Sequence, residues 1–361
     1  MEKVFDMHVH YLFEIPLEET IDIFKEEFAA TGTYKYTFLS IPNEGNPDGT
    51  LVFKEAQNVK GLYLKKAFSP NAYAYAGLEQ PLDVSYRDDD EVSKMYLRQA
   101  ECYMSAGFDG MKMLEGYPAM RKAMKRPLDH SVYDRYYSFM EENGFPITMH
   151  VANPVKYWDI SKLDEWTIKA GRACDETFPT KNELKEEVMR VMKKHPKLRL
   201  TLAHLGFLTY DIEDAKRWLS YENTMFDITP GGEQLLNVRK DWDKWHDFFN
   251  QYSERIIYGT DFYAFPKGDN WEKSFTCRPK FVRQLFETDG EHEYAGEKFV
   301  GLKIEKELRD KIYRLNAERE LGTPKTVNFG WLSKEAERVL NIPDKKEAYA
   351  DRDMKYILDN L

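Results

Sequence analysis

The 361-residue sequence predicts an α/β chain closed into a (β/α)8 barrel, also called a TIM barrel. Eight short β-branched or aromatic runs alternate with longer stretches of helical periodicity, the pattern of βα units repeated around a parallel sheet. Histidines and a late aspartate stand at or just beyond the C-terminal ends of several of those runs. A closed barrel brings such ends together on one face, whereas a doubly wound sheet, the competing architecture, spreads them along an edge.

The runs read as strands are, in order, Val4–His10, Tyr34–Pro42, Leu62–Ser69, Gly110–Leu114, Ile147–Val151, Leu198–His204, Thr224–Thr229 and Arg255–Asp261. Helices are expected over Pro16–Ala30, Asp90–Ala106, Ser131–Asn143, Lys181–Lys194, Ile212–Ser220 and Trp242–Tyr252. Several carry a stop signal, with Gly107 after Ala106, Gly144 after Asn143 and Pro196 just past His195. An aromatic, charge-rich segment from Phe262 to about Gly301 follows the eighth strand, then a helix over Leu308–Leu321 and a last stretch that includes a helix over Ser333–Leu340. No Gly-, Ser- or Pro-rich linker interrupts the chain, so one domain over residues 1–361 is expected, its barrel core reaching about residue 322 and its extension starting at 323. The loops after the third, fifth and eighth strands are the expected lids.

Hydrophobic residues at 42% and aromatic residues at 14% suffice for a large core, so the 32% of charged residues does not argue for disorder. A net charge of −10 argues against nucleic acid as a partner, because phosphate binding needs clustered Lys and Arg. Cys102, Cys174 and Cys277 lack CxxC spacing and fit a reducing compartment, so the cytoplasm is the expected location. Met1–Glu2–Lys3 leads straight into Val4–Phe5 without signal-peptide character, and no run is apolar enough to span a bilayer. The expected partner is a small-molecule substrate, with no membrane and with a homo-oligomer left open.

Asp6, His8 and His10 alternate along the first strand and so share a face, where two imidazoles can meet one cation. Imidazole nitrogen suits zinc and other divalent transition metals, and Asp6 is placed to orient a ligand or to brace the strand. His150 closes the apolar run Pro146–Met149, His204 closes Leu200–Ala203, and Asp261 follows Ile256–Thr260. Each would be costly to bury without a partner. His130, His195, His246 and His292 have no ligand-type neighbours at useful spacing and read as surface residues.

These residues resemble the amidohydrolase superfamily, and within it the branch called amidohydrolase family 2. The resemblance rests on Phe5–His10, Met149–His150, Ala203–Gly206, Tyr258–Phe262 and the later stretch Leu315–Gly322, and covers nearly the whole chain. It implies a metal-dependent hydrolase in which His8, His10, His150 and Asp261 hold one divalent ion, zinc in the first place and manganese or another ion as alternatives. It places His204 beside the ion as a catalytic group that polarises the substrate carbonyl, and gives Asp261 a second role as proton shuttle. In two-metal members a carboxylated lysine or a glutamate on the fourth strand bridges the ions. This chain offers Lys112 and Glu115, whose odd separation keeps both from facing inward on a regular strand. A single metal is favoured, with both residues near the substrate. Asn153, Tyr157, Trp158 and Trp166 after the fifth strand, and Phe262, Tyr263 and Phe265 after the eighth, are candidate pocket walls. Of these Asn153 and Trp158 are counted as substrate-binding, together with Arg172 as an anion contact.

The expected reaction is hydrolysis of an amide, ester or lactone bond in a small carboxylated or phenolic compound by metal-activated water. The alternative is non-oxidative decarboxylation, or hydration, of a small carboxylic acid on a nearly identical metal shell. That reading calls for an arginine to hold the retained carboxylate, and none stands at an obvious strand end. A third option is a barrel that binds metal and ligand without turnover.

Overall fold

The computed structural model describes residues 1–11, 14–231, 234–265 and 277–361, the Trp166 side chain excepted. Nine parallel strands form one sheet: β1 (Val4–Tyr11), β2 (Thr33–Leu39), β3 (Ala72–Gly77), β4 (Gly110–Gly116), β5 (Ile147–Val151), β6 (Leu200–Leu202), β7 (Thr224–Asp227), β8 (Ile256–Ile257) and β9 (Phe262–Ala264). Their order is β8-β7-β6-β5-β4-β3-β2-β1-β9. The two end strands belong to one stretch of chain interrupted by Tyr258–Asp261, and that stretch closes the barrel. On one side Ile228 N–H donates to Ile257 O at 3.0 Å; on the other Met7 N–H donates to Tyr258 O at 3.0 Å and Asp261 N–H to His8 O at 2.8 Å.

Asp6 braces this seam, the second of the roles its position allowed. Its carboxylate accepts from the Thr260 hydroxyl at 2.5 Å and from the Thr260 and His8 amides, each at 3.1 Å. Below the seam, Phe5, Met7, Tyr73, Met225 and Ile257 pack with Ala317 of the helix Asn316–Leu321 to floor the barrel.

The third strand departs from the sequence reading. Leu62–Ser69 lies mostly in a helix, Gln57–Ala67, and the strand is Ala72–Gly77. That helix is buried along nearly its whole length between the sheet and the terminal helices Phe329–Leu340 and Ala350–Asp359, so it shows no polar face by which to recognise it. The strand alternates Ala and Tyr, and alanine has weak strand preference. The Lys60–Asp353 ion pair, 2.8 Å long and buried, ties the helix to the terminal helix. Elsewhere the differences lie at strand ends: β6 stops two residues before His204, and the eighth run breaks into β8 and β9. His195 is buried rather than on the surface, its Nδ1 3.1 Å from Glu141.

Above the C-terminal ends of the strands, the segment after β2 folds a small hairpin, Asn43–Gly45 with Leu51–Phe53, which the sequence reading had left without structure. Lys122 Nζ ties it to the segment after β5, donating to Pro47 O at 2.7 Å and to Thr177 Oγ1 at 2.6 Å. Most of the lid expected after the eighth strand lies at 266–276, outside the described residues. No described helix is long and apolar enough to cross a membrane.

Candidate metal centre

The strand ends surround a cavity of about 380 Å³. His8, His10, Lys112, His150, His204 and Asp261 all line it. Asn153, Tyr157, Arg172 and Tyr263 line its outer part with Glu44, Tyr117 and Phe207. Two expected substrate contacts lie elsewhere. Trp158 donates its indole N–H to Pro179 O at 3.2 Å and packs within its own loop. Glu115 lies behind the wall, because β4 shifts register between Met113 and Gly116 and turns Lys112 and Glu115 to different cavities. Trp166 falls outside the described side chains.

The backbone turns sharply where the ligand-type residues sit. Ala152 after β5, His204 after β6 and Asp261 after β8 all have left-handed backbone, with φ of 66°, 58° and 54°. Leu205 and Phe207 follow His204 in the same region, at 50° and 53°. Such residues cost on the order of 1–3 kcal/mol each and persist only where surrounding packing holds them. Leu205, 1% exposed, supplies some of that packing. Gly231 is required on the other side, since a Cβ there would stand 2.6 Å from His204 Cβ.

Hydrogen bonds settle the histidine tautomers. His8 Nδ1 lies 2.7 Å from Asp227 Oδ2, and His10 Nδ1 lies 2.9 Å from the carbonyl oxygen of Leu39. Both partners accept, so both Nδ1 atoms carry the proton and both Nε2 atoms carry lone pairs. Those lone pairs face each other at 3.0 Å. Asp261 Oδ1 stands 3.6 and 3.5 Å from the two nitrogens, and Lys112 Nζ 3.4 Å from that of His8. Two acceptors at that distance repel unless a cation lies with them, and the His8–His10–Asp261 group has its donor atoms within 4.8 Å of one another. The donor set fits a divalent transition ion.

His204 follows the same logic. The Thr229 hydroxyl donates to Asp227 Oδ1 at 2.6 Å, so its oxygen accepts from His204 Nδ1–H at 2.6 Å, and Nε2 is unprotonated. In His150 the assignment reverses: Nε2 donates to Ala152 O at 2.9 Å, which leaves Nδ1 as the free lone pair. Burial holds His8, His10 and His204 well below the usual histidine pKa; neighbouring Lys112 adds to this for His8, and the adjoining imidazoles for the other two. His150 is pushed down to about 3 by burial and then by Lys112. Lys112 is itself lowered to about 8 by burial, against the opposing pull of Asp227 and Asp261. The imidazoles are therefore neutral and ready to ligate at neutral pH.

Two residues of this site escaped the sequence reading. Asp227, 1% exposed, joins His8 to the His204–Thr229 pair and accepts the His204 amide at 2.7 Å. Arg278 enters the cavity wall from the start of the helix Arg278–Glu287 and pairs with Asp261. Asp227 ends an apolar run as Asp261 does, a signal that was present; Arg278 has no local signal.

Glu115 carries a pH prediction. Gln80 donates to one of its oxygens at 2.9 Å, while the other is buried without a partner, and burial raises its pKa from 4.5 to about 7. The folded chain thus holds this proton more tightly than the unfolded one. The resulting stability is present below pH 4.5 and is lost as pH rises through about 7, by at most about 3 kcal/mol. Urea unfolding of metal-free protein at pH 5 and pH 8 will show a smaller pH difference for Glu115→Gln than for wild type. Equal differences would contradict it.

The amidohydrolase family model matches residues 6–323. No protein of curated function matches the chain in sequence. Among solved structures, the fold is similar to that of an uncharacterised TIM-barrel protein of Bordetella bronchiseptica, with 15% identity over 89% of this chain and 98% of that one at a TM-score of 0.56. It is also similar to 4-oxalomesaconate hydratase of Rhodopseudomonas palustris, with 14% identity over 88% and 95% at 0.53. A dihydroxybenzoic acid decarboxylase of a Polaromonas species, solved with manganese and the inhibitor 2-nitroresorcinol, matches with 14% identity over 89% and 97% at 0.50. At these identities the likeness is one of fold.

Proposed function

The chain belongs to the amidohydrolase family, and from that premise we propose that it is a metal-dependent enzyme hydrolysing an amide, ester or lactone bond of a small carboxylated compound. The observation that carries this reading is the pair of Nε2 lone pairs of His8 and His10 facing each other at 3.0 Å beside Asp261 Oδ1. We assign His8, His10 and Asp261 as ligands, with His150 as the fourth. Zinc is the first candidate and manganese the second. A divalent ion held there supplies Lewis acidity, which polarises a carbonyl oxygen and lowers the pKa of a water molecule towards about 7.

The chain's own groups would do the rest. His204 Nε2, unprotonated and at the cavity wall, can take a proton from the attacking water and return it to the leaving group. Asp261 is the other candidate for that transfer. Lys112 and Arg172 supply positive charge for a substrate carboxylate, and Asn153 an amide. Tyr157, Phe207 and Tyr263 offer flat apolar walls that suit a planar substrate. Replacing His204 with Gln is expected to lower kcat by roughly 10²- to 10⁴-fold while the ion content per chain stays at the wild-type level. Loss of the ion in step with activity would instead make His204 a ligand.

A second reading, non-oxidative decarboxylation or hydration of a small carboxylic acid, is favoured by one observation. Arg172 and Arg278 both line the cavity, so the arginine that a decarboxylase calls for is at hand. The test is to offer metal-loaded protein a panel of small carboxylated amides, esters, lactones and phenolic acids in ¹⁸O-water. Hydrolysis puts one ¹⁸O into the product acid and releases no carbon dioxide; decarboxylation releases carbon dioxide and leaves the remaining product unlabelled. Hydration adds label without splitting the substrate. Binding without any product would reject both readings in favour of a barrel that only binds.

A further inference from the structure

The two oxygens of the Asp261 carboxylate are committed in different directions. Oδ1 faces the histidine pair, at 3.6 and 3.5 Å from the two Nε2 atoms. Oδ2 is paired with Nη1 of Arg278, and the same Nη1 donates to the main-chain oxygen of Asp261 at 2.6 Å. One guanidinium nitrogen thus clasps the side chain and the carbonyl of a single residue, and does so where the backbone is left-handed at φ 54°. Arg278 is 7% exposed, opens the helix Arg278–Glu287 and is followed by Pro279, so its base is fixed by the fold.

A carboxylate held at one oxygen by a buried cation cannot turn to offer both oxygens to an ion, nor can the held oxygen readily accept another proton donor. Resting on the reading that His8, His10 and Asp261 form the metal centre, we propose that Arg278 is a positioning residue that reserves Oδ2 of Asp261 and presents Oδ1 alone to the ion. Asp261 is then a ligand rather than the proton carrier. That narrows the two candidates for proton transfer to His204.

The test uses the full chain stripped of metal, cobalt(II) as the probe, calorimetry for affinity, and visible absorption as a report of ligand number and geometry. Wild type is expected to bind one cobalt ion per chain. Arg278→Met and the milder Arg278→Gln are expected to bind it 10- to 100-fold more weakly, with a shifted visible band as the released carboxylate changes its mode of ligation. Thermal melting of the metal-free variants shows that they fold, and Arg278→Gln carries the test should Arg278→Met fail to do so. Wild-type affinity and spectrum in the variants would overturn the proposal while leaving the metal centre standing. Weaker binding with an unchanged spectrum would also overturn it, since a merely structural role predicts that result. A wild-type chain that takes up no more cobalt than His8→Ala/His10→Ala would overturn the underlying reading instead.

Discussion

Chains in which His8 and His10 are both alanine are expected to retain no stoichiometric divalent ion and to lose turnover by on the order of 10³-fold or more. The estimate follows from the several kcal/mol of charge stabilisation that a metal supplies to a transition state, at about 1.4 kcal/mol per tenfold in rate. Both Nδ1 atoms are occupied, by Asp227 and by Leu39 O, so each imidazole has one nitrogen to give and no second mode of ligation. The same change has a thermodynamic signature. An ion that binds only the folded chain stabilises it by about 4 kcal/mol at a thousandfold excess over Kd. Added zinc should therefore raise the Tm of wild type and leave that of the double variant where it was. Elemental analysis after dialysis and a pair of melting curves check both parts; a double variant that still melts higher with zinc would place the ion elsewhere.

The second large effect belongs to Asp227. Its two oxygens accept from His8 Nδ1 at 2.7 Å, the His204 amide at 2.7 Å, the Thr229 hydroxyl at 2.6 Å and the Thr229 amide at 3.2 Å. Asp227→Ala strands these donors in a buried site, at a cost of about 1–3 kcal/mol for each that finds no other partner. It also frees both imidazoles to change tautomer. Metal affinity is expected to fall 10- to 100-fold, and kcat to fall further because His204 loses its fixed proton. Asp227→Asn keeps the volume, so it should lose less stability than the alanine variant while still losing affinity. Calorimetric titration with zinc and urea unfolding of the metal-free chains separate the two losses. Unchanged affinity in both variants would rule out this role.

How far the sequence revealed this site depended on where each residue stands along the chain. His8, His10, His204 and Asp261 were legible because a polar ligand-type residue closing an apolar run is costly unless it has work at a barrel mouth. Asp227 obeys the same rule and was missed, because the seventh strand was read through to Thr229 while it ends at Asp227 itself. A two-residue error at a strand end turned a terminal acid into an internal one. Glu115 was legible as a residue but not in its direction, since the shift in β4 register cannot be read from alternation. Arg278 comes seventeen positions after Asp261, and only the closed fold brings the two together. The misplaced third strand has another cause: a helix covered on every side carries no amphipathic period, so its leucines look like a strand.

The closing seam of the barrel bears on how long an ion would stay bound. The bond from Asp261 N–H to His8 O joins two of the residues assigned as ligands through their main chains, and Met7 N–H to Tyr258 O lies beside it. Any breathing motion that parts β1 from the Tyr258–Asp261 stretch must therefore pull the histidine pair away from the carboxylate. Ion release and the opening of this one joint become a single event, so the ion would act as a rivet across the join, and its dwell time would be governed by how often the barrel unlatches there.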